Sequence, residues 1–128
     1  MPAAPARSTG CVVNMGSGSS ILPQGAMSGY AMTKEAVRVL TRTAALEWGK
    51  FGIRVNAICP LADTPGFGEF SESAPGAVEE QVIPMIPLGR MGDAELDVGR
   101  AVVYLASADA RYITGTTLMV DGGYNYLR

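Results

Sequence analysis

Short apolar segments separated by helical segments constrain this chain more than any other feature of its sequence. Residues 11–15, 53–59 and 116–120 are mostly apolar and rich in β-branched side chains, and Gly, Pro or Asp bounds each of them. Segments of this length and composition are typical of buried strands. Strands that alternate with helices form parallel sheets through right-handed crossovers. We therefore predict an α/β fold with three parallel strands and flanking helices.

Two helices are predicted from apolar residues at helical spacing. The first covers residues 28–48, where Ser28 is the expected N-cap and Gly49 suits the end of the helix. The second covers residues 94–106, and Asp93 is its expected N-cap. Each helix follows a predicted strand, as the alternation requires.

Residues 61–92 differ in character from the segments on either side. They are rich in Gly, Pro, Ser and Glu, with a modest helical run near residues 77–86. A long and weakly periodic insertion of this kind is often a lid or a substrate loop. Its apolar side chains are expected either to line a mostly apolar substrate site or to pack against the chain's own helices.

Length, charge and residue types exclude several classes of protein. The 128 residues suffice for one domain, residues 1–128, in which we expect residues 1–9 to be poorly ordered. The net charge of −2 and the lack of a basic run argue against nucleic-acid binding. No segment matches a membrane span or a secretory signal, so we expect a cytoplasmic protein. The absence of His excludes a Ser-His triad and most zinc sites, and no metal is expected.

The two cysteines lie in segments that are predicted to be strands. Cys11 and Cys59 form no Cys-x-x-Cys motif. We interpret both as buried free thiols in a reducing compartment. Facing positions on adjacent strands would allow a disulfide, but nothing in the sequence requires one.

Ser17, Tyr30 and Lys34 are the strongest candidates for a catalytic site. Tyr30 and Lys34 are four residues apart in a predicted helix, so their side chains lie on one face. An ammonium beside a phenol favours the phenolate, and we expect the pKa of Tyr30 to fall toward neutrality, where it can exchange a proton. Ser17 follows the first predicted strand, and its hydroxyl can polarise a carbonyl.

Each of these residues also has an ordinary structural interpretation. A Tyr and a Lys four residues apart are often no more than a surface pair on a helix. A Ser hydroxyl in a Gly-Ser loop commonly bonds to the local backbone. Ser19 and Ser20 are rival hydroxyls in the same loop. The three residue types taken alone therefore leave the catalytic interpretation open.

Five segments, taken in order, resemble the short-chain dehydrogenase/reductase family. They are residues 12–17, the pair Tyr30-x-x-x-Lys34, and residues 52–60, 87–92 and 113–123. Any one of these segments is weak evidence, whereas five in the family's order are strong evidence. The resemblance implies a Rossmann-like, doubly wound fold. It also implies an oxidoreductase that uses NAD or NADP to reduce ketones or to oxidise secondary alcohols.

The resemblance implies a role for each candidate catalytic residue. Tyr30 would exchange a proton with the substrate oxygen. Lys34 would lower the pKa of Tyr30 and bind the nicotinamide ribose, so that both residues also contact the cofactor. Ser17 would hydrogen-bond to the reacting oxygen, and it is preferred because its distance from Tyr30 in sequence matches the family's serine.

The loop after the second predicted strand departs from the family. The resemblance implies that Pro60 and Thr64 contact the nicotinamide. Leu61 stands where the family usually has Gly, and the loop is one residue shorter. Because a Cβ restricts the backbone, the conformation of this loop is expected to differ from that of the family.

The resemblance extends only to the C-terminal half of the family's fold. The strand, Gly-rich turn and helix that receive the pyrophosphate have no counterpart, and Gly16-Ser17-Gly18 is a weak phosphate cradle. The implied fold is a partial Rossmann fold without its N-terminal dinucleotide-binding half. We expect no dehydrogenase activity from the isolated chain, because Tyr and Lys move protons but cannot deliver a hydride.

Three interpretations follow from such a partial chain. The first is an oxidoreductase half that acts on a small carbonyl or alcohol once a longer parent or a second chain supplies the missing half. The second is a non-enzymatic module, because an apolar strand edge at residues 11–13 invites homo-oligomerisation or docking on a full-length relative. In that case residues 90–106 and the strand ending at Val120 are expected to form the subunit contacts. The third is an accidental truncation.

Overall fold

The computed structural model describes residues 10–22 and 24–125, so the prediction for residues 1–9 lies outside the described residues. The described strands are β1 (Gly10–Met15), β2 (Ile53–Pro60), β3 (Ala62–Asp63), β4 (Gly92–Asp93) and β5 (Thr117–Val120). The α-helices are α1 (Ser28–Trp48), α2 (Pro65–Ser73) and α3 (Arg100–Ala106). Short 3₁₀ turns cover Gly18–Ser20, Gly49–Phe51, Ile83–Met85 and Ala108–Ala110. Wider π-type turns cover Val78–Val82 and Ala94–Gly99, and the second leads directly into α3.

The main sheet is parallel, with the strand order β1-β2-β5. The register runs from Gly10 beside Ile53 to Met15 beside Ile58, and Pro60 lies beside Val120 at the other edge of β2. Residues 55–59 of this central strand are all buried. The predicted α/β class and the three parallel strands are therefore confirmed.

Helices cover both faces of this sheet. On one face, Ala44 and Ala45 of α1 pack with Val55. On the other face, Val98 and Leu105, from the turn before α3 and from α3 itself, pack with Ile58. Successive residues of a strand point to opposite faces, and a parallel sheet is stable in water when both faces are covered. The flanking helices were predicted, and the structure confirms them.

One buried polar contact fixes α1 on the sheet. The Asn14 amide donates a hydrogen bond to the Thr41 hydroxyl at 2.9 Å, and that hydroxyl donates to the Val37 carbonyl at 2.8 Å. Thr41 is fully buried, so a polar group here needs these partners. The small side chains of Ala44 and Ala45 let the helix approach the strands closely. This contact fixes α1, at Thr41, to β1 near its end, at Asn14.

The ends of the helices differ partly from the sequence prediction. Ser28 is the first residue of α1 and not its N-cap, and the flanking residue Met27 makes no side-chain cap. Gly49 keeps a helical φ of −55°, and the left-handed residue is Gly52, with φ of 75°, because a 3₁₀ turn extends the helix beyond Trp48. The predicted cap is confirmed at Asp93, whose carboxylate accepts hydrogen bonds from the two backbone N–H groups at residues 95 and 96.

Residues 61–92 contain more regular structure than was predicted. Helix α2 and the parallel pair of β3 with β4 both lie within this segment. The pairing depends on Gly92, because a Cβ at this position would lie 2.7 Å from the Leu61 carbonyl oxygen. Both strands have two residues, too few to produce a periodic pattern in the sequence.

Cys11 is exposed, so the prediction that both cysteines are buried was wrong for this residue. The reason is that β1 is an edge strand, with β2 on only one side among the described residues. The thiol donates a weak hydrogen bond to the Leu105 carbonyl at 3.4 Å. Cys59, on the central strand, is buried as predicted.

None of the helices within residues 10–22 and 24–125 is both long enough and apolar enough to cross a membrane.

The buried Asn56 side chain is expected to be essential for stability. Its amide donates to the Ile113 carbonyl at 3.0 Å and accepts from the Thr116 N–H at 3.1 Å, which ties the segment before β5 to the central strand. Because Asn56→Ala would leave the Thr116 N–H without its partner and would leave the Ile113 carbonyl with only the Arg54 guanidinium as donor, we expect a loss of about 2 kcal/mol in unfolding free energy. Urea denaturation measures this loss, with Tyr112→Ala at a fully exposed position as the control. A loss below about 0.5 kcal/mol would contradict this assignment.

Candidate active site

The candidate residues lie near the carboxyl ends of the main strands. β1 ends at Met15, β2 at Pro60 and β5 at Val120. Because the strands are parallel, these ends meet at one edge of the sheet. In open α/β sheets, ligands bind outside the carboxyl ends of the strands. This edge is therefore the place to look for a site.

Gly16 sets the path of the chain as it leaves β1. Its N–H donates to the Ile58 carbonyl at 2.7 Å, which extends the β1–β2 pairing by one step. A Cβ on Gly16 would lie 2.9 Å from the Cys59 sulfur and 3.2 Å from the Ile58 oxygen. Only glycine allows this close approach without a shift, and the approach fixes the position of the next residue, Ser17.

Ser17 has an extended backbone and a hydroxyl that retains a donor proton. Its side chain accepts a hydrogen bond from the Ser19 N–H at 3.2 Å, which caps the short turn that follows. A hydroxyl that accepts in this way still has its own proton to donate. The rival Ser20 hydroxyl lies 2.9 Å from the Ser17 carbonyl and donates to it. Local bonding therefore occupies the proton of Ser20 and leaves that of Ser17 available.

Lys34 and Tyr30 lie together beside the end of β1. The Lys34 ammonium donates a hydrogen bond to the Met15 carbonyl at 3.1 Å. The same nitrogen lies 5.7 Å from the centroid of the Tyr30 ring, and Tyr30 is 46% exposed. The ammonium thus lies beside the Tyr30 ring and at the strand end that leads into Ser17. Among the described residues, no hydrogen bond joins the hydroxyls of Ser17 and Tyr30.

Pro60 and Thr64 lie on either side of the short strand β3. Pro60 is the last residue of β2, and Thr64 immediately precedes α2. The Thr64 hydroxyl accepts a hydrogen bond from the Phe67 N–H at 3.3 Å, in the first turn of that helix. The only non-glycine residue with a positive φ in the described part of the chain is Ala26, so the backbone at Leu61 does not require glycine. Thr64 thus has a structural role at the start of α2, and Thr is a common residue immediately before a helix.

An ion pair on α1 lies close to Ser20 and was not identified from the sequence. Arg38 donates two hydrogen bonds to the Glu35 carboxylate, at 2.7 and 2.8 Å. These bonds lower the pKa of Glu35, and the neighbouring Ser20 side chain contributes in the same direction. Opposite charges three residues apart on the predicted helix were the available signal.

Asp121 is a second group that the sequence analysis treated only as part of a family segment. Its carboxylate is almost fully buried and accepts hydrogen bonds from the Gly123 N–H, the Asn125 N–H and the Asn125 amide. An Asp that precedes two glycines is typical of a turn in which the side chain bonds to the backbone ahead of it. That pattern was the signal for this turn.

Comparisons of the whole chain show which known proteins it is similar to. A family model described as Enoyl-(Acyl carrier protein) reductase matches residues 2–125. A 12alpha-hydroxysteroid dehydrogenase of Clostridium sp. is 45% identical over 114 residues, which are 89% of this chain and 44% of that protein. A 3beta-hydroxysteroid dehydrogenase 1 of Eggerthella lenta is 46% identical over 116 residues, which are 89% of this chain and 43% of that protein.

A solved structure supports the same relationship. It is described as an oxidoreductase of the short chain dehydrogenase/reductase family from Burkholderia thailandensis, and it superimposes with a TM-score of 0.83 at 31% identity. The match covers 90% of this chain and 44% of the other. The chain therefore spans less than half the length of these relatives.

The reactivity of Cys59 is expected to report whether the loop of residues 16–20, which packs on its thiol through Gly16, stays closed. Burial raises the pKa of the Cys59 thiol, and the thiolate is the reactive form. With iodoacetamide at pH 8 we expect Cys11, which is exposed, to react at least about tenfold faster than Cys59 in the native protein. Peptide mass spectrometry measures both rates, and both thiols should react readily in urea. Equal native rates would show that the loop does not cover Cys59.

Proposed function

The chain belongs to the short-chain dehydrogenase/reductase family, and on this premise we propose that it forms the proton-transferring half of an NAD- or NADP-dependent oxidoreductase. The observation that carries the proposal is the position of Lys34. Its ammonium lies 3.1 Å from the carbonyl at the end of β1 and 5.7 Å from the Tyr30 ring. An ammonium in this place stabilises a phenolate at the strand end that leads into Ser17.

The proposed reaction is the reduction of a ketone or the oxidation of a secondary alcohol. In reduction, the Ser17 hydroxyl donates a hydrogen bond to the carbonyl oxygen and polarises it. The Tyr30 hydroxyl transfers its proton to that oxygen, and the Lys34 ammonium stabilises the phenolate that remains. A bound nicotinamide dinucleotide supplies the hydride, which no side chain can supply. Oxidation reverses these proton transfers.

This chain's residues fit one end of such a cofactor. Lys34 uses one donor on the Met15 carbonyl, and two remain for ribose hydroxyls. We also propose that Pro60 and Thr64 contact the nicotinamide. The Thr64 hydroxyl accepts a hydrogen bond from the Phe67 N–H and keeps its own proton to donate. The turn Gly18–Ser20 has only three residues and is too short to bind a pyrophosphate at its N-terminus.

The pyrophosphate must therefore be held by a segment outside the described residues. β1 is the edge where such a segment would attach, because within residues 10–22 and 24–125 it pairs only with β2. We propose that a dinucleotide-binding unit, from a longer parent or from a second polypeptide, extends the sheet beside β1. Parallel strands of this type are normally buried on both sides and both faces. The part of these relatives that this chain does not cover is more than half of their length, which is large enough for that unit.

Replacement of Tyr30 tests the proposed chemistry. The chain is mixed with the N-terminal half of a full-length family member, and NADH or NADPH oxidation is followed with a ketosteroid, because two relatives are named hydroxysteroid dehydrogenases. We expect turnover only in the mixture, and Tyr30→Phe should reduce it by about a hundredfold or more, because the proton donor is lost. Tyr112→Phe, at a fully exposed position, is the control. Unchanged turnover in Tyr30→Phe would refute the assigned donor, and turnover by the chain alone would refute the need for a second half.

A second candidate function is self-association, and the outer face of α1 favours it. Met32, Val39 and Leu46 are 69%, 53% and 85% exposed. With Ala36 and Thr43 they follow spacings of four and three residues, which is the pattern of a helix-pairing seam. We propose that this exposed face forms a two-stranded helical contact.

The charges beside this seam favour a second copy of the chain as the partner. Glu35 and Arg42 lie on the same flank, seven residues apart. In an antiparallel pair related by a two-fold axis, equivalent flanks face each other, so Glu35 of one copy meets Arg42 of the other. Each contact occurs twice in a symmetric dimer. The exposed residues Leu96, Val103 and Tyr104, in the region expected from the family to form subunit contacts, could extend such an assembly.

A charge at the centre of the seam tests self-association. Val39→Asp would place a carboxylate against the same position of the partner, so we expect the dimer to dissociate at micromolar concentration. Tyr112→Asp is the matched control, because Tyr112 is fully exposed and lies outside α1. Light scattering after size-exclusion chromatography measures the mass. A monomeric wild type, or a dimer that persists in Val39→Asp, would exclude this interface.

A further inference from the structure

The turn after β5 contacts two loops, one of which carries Ser17. We refer to residues 121–125 as the C-terminal turn and to residues 16–20 as the serine loop. The C-terminal turn meets the serine loop at Gly18 and the substrate-side segment at residues 86–88. Neither contact has a role in the mechanism described above.

Asp121 makes the C-terminal turn rigid. Its carboxylate, in a residue that is 6% exposed, accepts from the Gly123 N–H at 3.1 Å and from the Asn125 N–H at 2.8 Å. The Asn125 amide donates to the same carboxylate at 3.2 Å. Hydrogen bonds to a charged acceptor are the stronger kind, and two of these three fix the backbone and the side chain of Asn125.

Asn125 in turn lies directly against Gly18. A Cβ placed on Gly18 would overlap the Asn125 amide nitrogen and would lie 2.8 Å from the amide carbon. On the other side of Ser17, Gly16 is held by the Ile58 carbonyl at 2.7 Å. Ser17 is therefore held between one glycine fixed on β2 and another fixed on Asn125.

The same turn holds the segment on the substrate side. Cβ atoms on Gly122 and Gly123 would lie 2.7 Å from an Ile86 side-chain carbon and 2.9 Å from a Pro87 ring carbon. Both glycines have a positive φ, of 62° and 91°, which disfavours any other residue. The Leu88 N–H also donates to the Gly122 carbonyl at 3.2 Å. One turn thus sets the positions of both loops.

We propose that Asn125, held by Asp121, is a positioning residue that fixes Gly18 and so the position of the Ser17 hydroxyl relative to Tyr30. The inference rests on the proposed function for its catalytic consequence. Its structural part, that Asn125 fixes the serine loop, can be tested without any turnover. Asn125 acts through Gly18 and is given no contact with substrate or cofactor.

The test uses the steric conflict between Gly18 and Asn125. In Gly18→Ala, the new methyl group must displace either the serine loop or the Asn125 amide that Asp121 holds. In the double variant Gly18→Ala/Asn125→Ala, the amide is gone and the methyl group has space. Gly25→Ala is the matched control, because nothing lies within 4 Å of a Cβ there and its φ is not positive.

The first readout is independent of activity. Cys59 lies beneath Gly16, so its alkylation rate reports opening of the serine loop, and amide hydrogen exchange over residues 16–20 reports the same event. We expect Asn125→Ala, which removes the contact, and Gly18→Ala, which forces it apart, each to raise both rates at least about fivefold, and the double variant to be no faster than either single variant. Global destabilisation would make the double variant faster than either single variant. That result, or no change in Asn125→Ala, would overturn the inference.

The second readout separates the positioning role from the proposed function. In the complemented enzyme, we expect Gly18→Ala and Asn125→Ala each to lower kcat at least about tenfold with KM within twofold, and the double variant to be no slower than either. If the loop readouts respond as expected while no combination turns over a ketone, the proposed function fails and the positioning of the loop stands. If turnover is found and Asn125→Ala leaves kcat unchanged, the positioning role is refuted.

Discussion

The burial of β2 between two parallel neighbours is the constraint on which the rest of this structure depends. Its residues 55–59 are enclosed by α1 on one face and by the α3 region on the other. The carbonyl of Ile58 holds Gly16 at 2.7 Å, and Leu61, just past its end, donates to the Val120 carbonyl at 3.0 Å. The serine loop and the C-terminal turn therefore both begin at residues whose positions β2 determines. Disruption of β2 would displace the candidate residues whose positions depend on it.

Helix α1 places polar side chains at the carboxyl end of β1. Its position is set by Thr41, whose hydroxyl lies 2.9 Å from the Asn14 amide in a fully buried place. Lys34 lies two turns earlier on the same face of the helix and so reaches the Met15 carbonyl at the end of β1. The contact of Lys34 with the Met15 carbonyl therefore depends on how the buried face of α1 packs on the sheet. A site built in this way requires no strained backbone at Tyr30 or Lys34.

The sequence was sufficient for the features that depend on local pattern. The three main strands, α1 and the cap at Asp93 follow from apolar spacing and residue type, and the structure confirms them. It was insufficient where distant segments decide. Cys11 is exposed because its strand lies at an edge, and the contact of Gly18 with Asn125 joins opposite ends of the chain. Neither the exposure of Cys11 nor this contact produces a periodic pattern in the sequence. The catalytic roles of Ser17, Tyr30 and Lys34 stay predictions, although Tyr30 and Lys34 do lie together.

The two candidate functions use opposite faces of one helix. Tyr30, Lys34 and Thr41 share the face of α1 that meets the sheet, whereas Met32, Val39 and Leu46 are exposed. At 100° per residue, positions 34 and 41 lie about half a turn from positions 32 and 39. A second copy bound at the exposed seam would therefore leave the strand end with Ser17 unobstructed. The proposed self-association and the proposed proton transfer therefore do not compete for surface, so a substitution that abolishes one is expected to leave the other intact.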